Sequence, residues 1–248
     1  MTITVHQFPC LSDNYGYLVR DDESGKVACI DTPDAEAIIA AAATRGWGID
    51  LVLNTHWHPD HAGANLAIKE RFGACLAGPE EVRAHYPLDH AVKDGDSVSL
   101  GETRFEVLDT GGHTLGHVCY YSAPDSTIFV GDTLFPLGCG RVFEGTPQQM
   151  WASLSRLAAL PEDTVAYSAH EYTLANARFA ETVDKSAVLM RRIALVEELR
   201  LQGLPTVPTT IGEEKATNPF LRAPMLSPEP DPALAFADIR ARKDGFKG

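Results

Sequence analysis

The segment Asn54 to Gly63, NTHWHPDHAG, sets three histidines and an aspartate within six positions, directly after the apolar run Leu51 to Leu53. An extended chain sends residues i and i+2 to one side, so His56 and His58 can point together, whereas Asp60 and His61 fall where the chain must turn. The cluster is thus aimed at two neighbouring places. Burying so many polar groups together without a cation leaves donors and acceptors unmatched, so the pattern reads as a set of metal ligands. Asp60 stands just before the helical pattern AGANLAIKERFG and can serve as a cap as well.

Further candidates fall at the ends of expected strands: His113 after FEVLDT, Asp132 after TIFVG and His170 after VAYSA. Such placement suits a site on the edge of a buried sheet, because strands hold the backbone while their ends reach solvent. His117 lies within the next expected strand and reads as structural. Imidazole and carboxylate ligands without thiolate suit zinc first, with iron or manganese as alternatives, in open catalytic sites. Seven ligands exceed the needs of one tetrahedral ion. Two divalent ions account for them: His56, His58 and His113 on one, Asp60, His61 and His170 on the other, and Asp132 bridging. Water between two such ions becomes acidic, since zinc can lower its pKa from about 15.7 to about 7. Hydrolysis follows without a serine or cysteine nucleophile, with Asp60 and Asp132 beside the hydroxide as the catalytic carboxylates.

The elements that must position these residues are short strands with a few helices between them. ITVHQF, YGYLVR, VACID, LVLNT, TRFEVLDT, HVCYYS and STIFVGD have strand composition punctuated by Gly, Asp or Pro. DAEAIIAAAATRGW reads as a helix ending near Gly46, and TPQQMWASLSRLAAL as one opened by a Thr cap and Pro147. After His170 the texture changes. The chain from Glu171 to about Gln202 is almost continuously helical, no strand is expected beyond, Pro205 to Pro232 reads as ordered irregular chain, and a last helix spans about Pro232 to Lys243. A boundary near His170 divides the chain into residues 1–170 and 171–248.

The chain has 248 residues, 44% of them apolar, enough for a large core. The opening MTITVHQFPC alternates like a strand and is not a signal peptide, and no segment approaches a membrane span. Five scattered cysteines without a CxxC pair argue against a disulfide framework and for a reducing cytoplasm. A net charge of −13 disfavours nucleic acid and anionic membrane as partners, while a local basic patch can still bind a small anion. His6, His85 and His90 have no comparable company and read as surface or packing residues.

THWHPDH, followed by GGHT, GDTLF and SAHEYT, resembles the metallo-β-lactamase superfamily, which implies an αββα sandwich of the α+β class with a dinuclear site along one edge. LSDNYGYLV, GDTLFPLGCGRVFEGT, AHEYTLANARFA, NPFLR and IRARKDGFK are similar to the glyoxalase II, or hydroxyacylglutathione hydrolase, family across essentially the whole chain. That resemblance implies hydrolysis of S-D-lactoylglutathione to glutathione and D-lactate, the second step of methylglyoxal detoxification. It implies the seven metal ligands above, glutathione contacts at Arg141, Tyr172, Arg240 and Lys243, and a helical glutathione-binding domain over 171–248. The three cations would give an acidic chain local charge for a carboxylate substrate; the alternative for the C-terminal basic residues is a solvated helix face. Two departures stand out. Gly111 replaces a proline common before GHT, and Phe143 stands where some relatives present a tyrosine hydroxyl, leaving apolar packing in its place. Alternatives are a same-fold hydrolase of another ester, lactone or lactam, a mononuclear iron dioxygenase, and an inactive metal-binding or interaction protein. A monomer is expected.

Overall fold

A computed structural model describes residues 2–247, which divide into two compact units: 2–109 with 114–131, and 110–113 with 132–247. The first unit is built on two sheets. In one, Ile3–Cys10, Asn14–Asp21, Val27–Ile30, Leu51–Leu53, Cys75–Pro79 and His90–Val92 lie side by side in chain order. The first three strands are antiparallel and the rest parallel. Parallel pairing needs crossover connections, and helices Ala35–Arg45 and Asn65–Phe72 supply two of them. Asp34 caps the first by accepting from Glu36 N and Ala37 N, and Gly46, at φ +66°, ends it. Their apolar faces, with Ile38, Ala42 and Ile68, pack on Cys29, Val52 and Leu76 of the sheet.

The other sheet of this unit is an antiparallel meander of Ser97–Leu100, Thr103–Asp109, Val118–Ser122 and Thr127–Gly131. Thr103 and Val107 point inward while Arg104 and Glu106 face solvent, the period-two alternation of a half-buried strand. The two sheets meet through rings and polar ties: Tyr17 and Phe129 lie 5.8 Å apart, and the Tyr120 hydroxyl donates to Asn54 O at 2.7 Å.

The second unit holds helices Pro147–Ala158, Thr173–Val183, Ala187–Leu201, Ile211–Thr217, Ala223–Leu226 and Pro232–Asp244. Thr146 and Gln149 form a capping box before Pro147. The expectation of no strand beyond His170 is corrected by Thr209–Thr210, which pairs antiparallel with Val165–Ser168. Two β-branched residues are too short a run to carry a sequence signal. The stretch read as irregular contains two short helices, one opened by the Thr210 and Glu213 capping box. The helical run after Glu171 breaks at Asp184–Ser186, where Asp184 is extended. No described helix is long and apolar enough to cross a membrane.

Candidate active site

In the first unit, strand Leu51–Leu53 delivers the chain into a turn whose geometry is set by buried polar side chains. Asn54 Nδ2 donates to His61 O at 2.9 Å, and Asn65 Nδ2 donates to Asn54 Oδ1 at 2.7 Å. The turn closes as helix Pro59–Ala62, so Asp60 lies in its first turn and not at the start of the longer helix. His56 Nε2 and His58 Nδ1 face each other at 2.9 Å, and the rings of His56 and His61 are 4.0 Å apart. His61 Nε2 stands 3.5 Å from Asp60 Oδ2, while Asn14 Nδ2 donates to that same oxygen at 3.1 Å.

Partners elsewhere in the unit select which nitrogen each ring presents. Asp31 Oδ2 lies 2.8 Å from His61 Nδ1, and Thr55 Oγ1 lies 3.0 Å from His56 Nδ1. Asp31 also accepts from Thr55 N at 2.7 Å and from Thr55 Oγ1 at 2.9 Å. A carboxylate on Nδ1 fixes the proton there, so Nε2 keeps its lone pair for a cation. Asp31, at φ +56° and buried, was not singled out by the sequence; its only signal is an acidic residue at the end of an apolar strand. His117 is buried with its ring 4.9 Å from that of His56, closer to the cluster than its position suggested.

In the second unit, Asp132 offers one oxygen to each of two imidazoles. Oδ2 is 3.4 Å from His113 Nε2 and Oδ1 is 3.3 Å from His170 Nε2. His113 Nδ1 bonds Arg141 O at 2.9 Å, and the His170 ring stacks on Tyr172 at 4.7 Å. Gly140 is required by close approach, because a Cβ there would lie 2.0 Å from Asp132 O. The loop with Gly111 is pinned, Ser153 Oγ donating to Gly111 O at 2.7 Å.

A cavity of about 440 Å³ opens beside this triad, lined by His113, Asp132, Arg141, Phe143, Tyr172, Arg240 and Lys243 among others. The substrate contacts expected from the sequence thus share one wall system within this unit. Phe143 is exposed, its ring 5.2 Å from that of His113. Arg240 is not part of a solvated face. It is buried, bonded to Asp244 at 2.8 Å and to Cys139 O at 3.3 Å, with its guanidinium 4.9 Å from the Phe220 ring centre. Arg242 on the same helix is the solvated cation, paired with Asp238. Lys243 Nζ donates to Ala175 O at 2.9 Å. Burial, with the Arg240 and Arg141 charges behind it, pushes the Lys243 ammonium down to about 8. Cys139 also lines the cavity, but burial raises its thiol to about 11, against the lowering influence of Arg240; it is no thiolate nucleophile at neutral pH.

The donor set in both units, ring nitrogens and carboxylate oxygens with the opposite ring nitrogen of His56, His61 and His113 already engaged, fits divalent metal ions. The sequence pattern of the metallo-beta-lactamase superfamily matches residues 15–170, and that of the hydroxyacylglutathione hydrolase C-terminus matches 171–246. The hydroxyacylglutathione hydrolase of Maricaulis maris is 52% identical over 98% of this chain and 99% of its own. The chain belongs to the hydroxyacylglutathione hydrolase family of the metallo-beta-lactamase superfamily. Among solved structures, ETHE1 from Myxococcus xanthus shares the fold of this hydroxyacylglutathione hydrolase family member at a TM-score of 0.71 and 27% identity, covering 96% of this chain and 90% of that one. TTHA1623 in a di-iron-bound form is similar at a TM-score of 0.64 and 26% identity, over 88% of this chain and 100% of that one.

Proposed function

We propose that this enzyme hydrolyses S-(2-hydroxyacyl)glutathione thioesters, chiefly S-D-lactoylglutathione, to glutathione and the free hydroxy acid, D-lactate. The observation that carries the reading is the cavity in which His113 and Asp132 share walls with Arg141, Tyr172 and Lys243. Reaction-type residues and anion-type residues stand in one chamber, of a size suited to a small molecule. We assign seven ligands, His56, His58, Asp60, His61, His113, Asp132 and His170, to two divalent ions, zinc first with iron or manganese as alternatives. When bound, such ions polarise the thioester carbonyl and make water acidic near neutrality.

The chain's own groups do the rest. Arg141 and Lys243 bind the carboxylates of the glutathionyl part, and the guanidinium adds a directional fork to the charge. Phe143 offers the glutathionyl part apolar packing in place of a tyrosine hydroxyl, and Tyr172, stacked on His170, serves both the ligand and the wall. Water adds to the acyl carbon as the C–S bond breaks. One proton of that water reaches the departing sulfur and the other leaves as the hydroxy acid ionises. Asp60, whose Oδ2 accepts from Asn14 Nδ2, and Asp132 are the carboxylates assigned to the proton transfers in this reading. Residues 171–248 form the substrate-binding portion in this reading and residues 1–170 the hydrolytic portion.

The test is hydrolysis of S-D-lactoylglutathione by metal-replete protein, followed through loss of the thioester absorbance, beside a simple ester, a lactone and a β-lactam. Preference for the glutathione thioester is expected. Equal or better turnover of the others would assign the cavity to a different acyl substrate.

A further inference from the structure

Between Asp132 and Arg141 the sequence TLFPLGCG forms a hairpin, Leu134–Phe135 pairing with Gly138–Cys139. Its turn residue Leu137 sits at φ +59°, a left-handed conformation that an L side chain avoids because its Cβ crowds the next carbonyl. The side chain is fully buried with Ala177, Leu189 and Ile193 of the helical core. Such a conformation persists only where the surroundings over-determine it.

Here they do. Glu214, fully buried, accepts from Leu137 N at 2.9 Å and from Asn218 Nδ2 at 2.8 Å, and its other oxygen meets Arg192 and Thr209. The Asn218 amide, which opens the NPFLR stretch, also donates to Phe135 O at 3.1 Å and to Gly138 O at 2.9 Å. Asn176 Nδ2 donates to Pro136 O at 3.2 Å, an approach that a Cβ on Gly138 would block at 2.2 Å. The backbone of the turn is thus held from three side chains of the helical region. At the base of the hairpin, Gly140 N donates to Thr133 O at 3.3 Å, and Arg141 O meets His113 Nδ1 at 2.9 Å. One end of the hairpin carries Asp132 and the other Arg141, both lining the cavity.

We propose that Glu214, Asn218 and Asn176 are positioning residues which hold the left-handed Leu137 hairpin and thereby set Arg141 and Asp132 in the cavity wall. Asn176 also borders the cavity, whereas Glu214 and Asn218 act on its wall through the hairpin backbone. The inference rests on the reading of the cavity as the thioester site for its kinetic arm, and has a second arm that does not need substrate.

The variant is Asn218→Ala in the full, metal-loaded chain, with Leu76→Ala as a destabilised control in the core of the other unit. The KM for S-D-lactoylglutathione is expected to rise about fivefold or more in Asn218→Ala and to stay unchanged in the control at matched loss of Tm. Hydrogen exchange across 133–141 should accelerate about tenfold in Asn218→Ala and not in the control. If Asn218→Ala does not fold, Glu214→Gln tests the same restraint with its shape kept, and the same directions are expected. Wild-type exchange at 133–141 in Asn218→Ala, or equal acceleration in Leu76→Ala, overturns the proposal. A wild-type protein that neither hydrolyses the thioester nor binds glutathione refutes the cavity reading instead, and the exchange comparison then decides the hairpin restraint alone.

Discussion

Lys243 offers a titration that the proposed chemistry makes visible. Its ammonium is pushed down to about 8 by burial and by the neighbouring Arg240 and Arg141. For a glutathione carboxylate, the charged amine is a stronger partner than the neutral one by about 1 kcal/mol, the difference between a charge-assisted and an ordinary hydrogen bond. Lys243 is only half-buried, so solvent screening reduces that figure and the predicted fall in kcat/KM is about two- to fivefold. The sign follows from the direction of the shift: below about pH 8 Lys243 is charged and captures substrate, and above it the capture weakens. Steady-state rates at saturating metal, from about pH 6.5 to about 9.5, should show this limb in kcat/KM, which reports the free enzyme, and less of it in kcat. In Lys243→Arg the cation persists and the limb should vanish; in Lys243→Met the low plateau should extend to neutral pH. A limb near pH 8 that survives unchanged in Lys243→Arg would refute the assignment. Stability carries the same shift with its own sign. Between about 8 and the ordinary 10.5 of lysine the unfolded chain binds more protons, so this group makes the fold more stable as pH rises through that window.

Three further outcomes are expected. Metal-loaded wild-type protein should hold about two ions per chain by elemental analysis, and Asp132→Ala, which removes both oxygens from His113 and His170, should lower that number and nearly abolish turnover; one ion at saturation, or activity intact after His170→Ala, counts against the dinuclear set. Asp31→Asn should weaken metal affinity about 10- to 100-fold in chelator competition, because His61 loses the carboxylate that orients it, and an unchanged affinity would make Asp31 purely structural. Arg240→Met should lower unfolding free energy in urea by about 1–3 kcal/mol, since it removes bonds to Asp244 and Cys139 O as well as a cavity cation, whereas Arg242→Met, on an exposed ion pair, should cost under about 1 kcal/mol.

The local parts of this protein were legible in its sequence. THWHPDH draws its histidines and aspartate together because strand and turn spacing are short-range geometry, and Gly46, Thr146 and Pro147 mark helix ends because caps satisfy backbone groups within a few residues. His113, Asp132 and His170 stood out for the same reason, as polar residues just past apolar strands. What only the tertiary structure decided are the partners drawn from far along the chain. Asp31 reaches His61 across 30 positions, the Arg141 carbonyl reaches His113 across 28, and Asn218 reaches Phe135 across 83. No periodicity encodes such pairs, since they depend on how strands register and helices pack. The burial of Arg240 belongs with them: its type and place on the last helix predicted a cation, but whether that cation faces solvent, Asp244 or the cavity depended on the Phe220 ring and the Cys139 carbonyl packed against it. Thr209–Thr210 became a strand only because Val165–Ser168 offered it an edge to pair with.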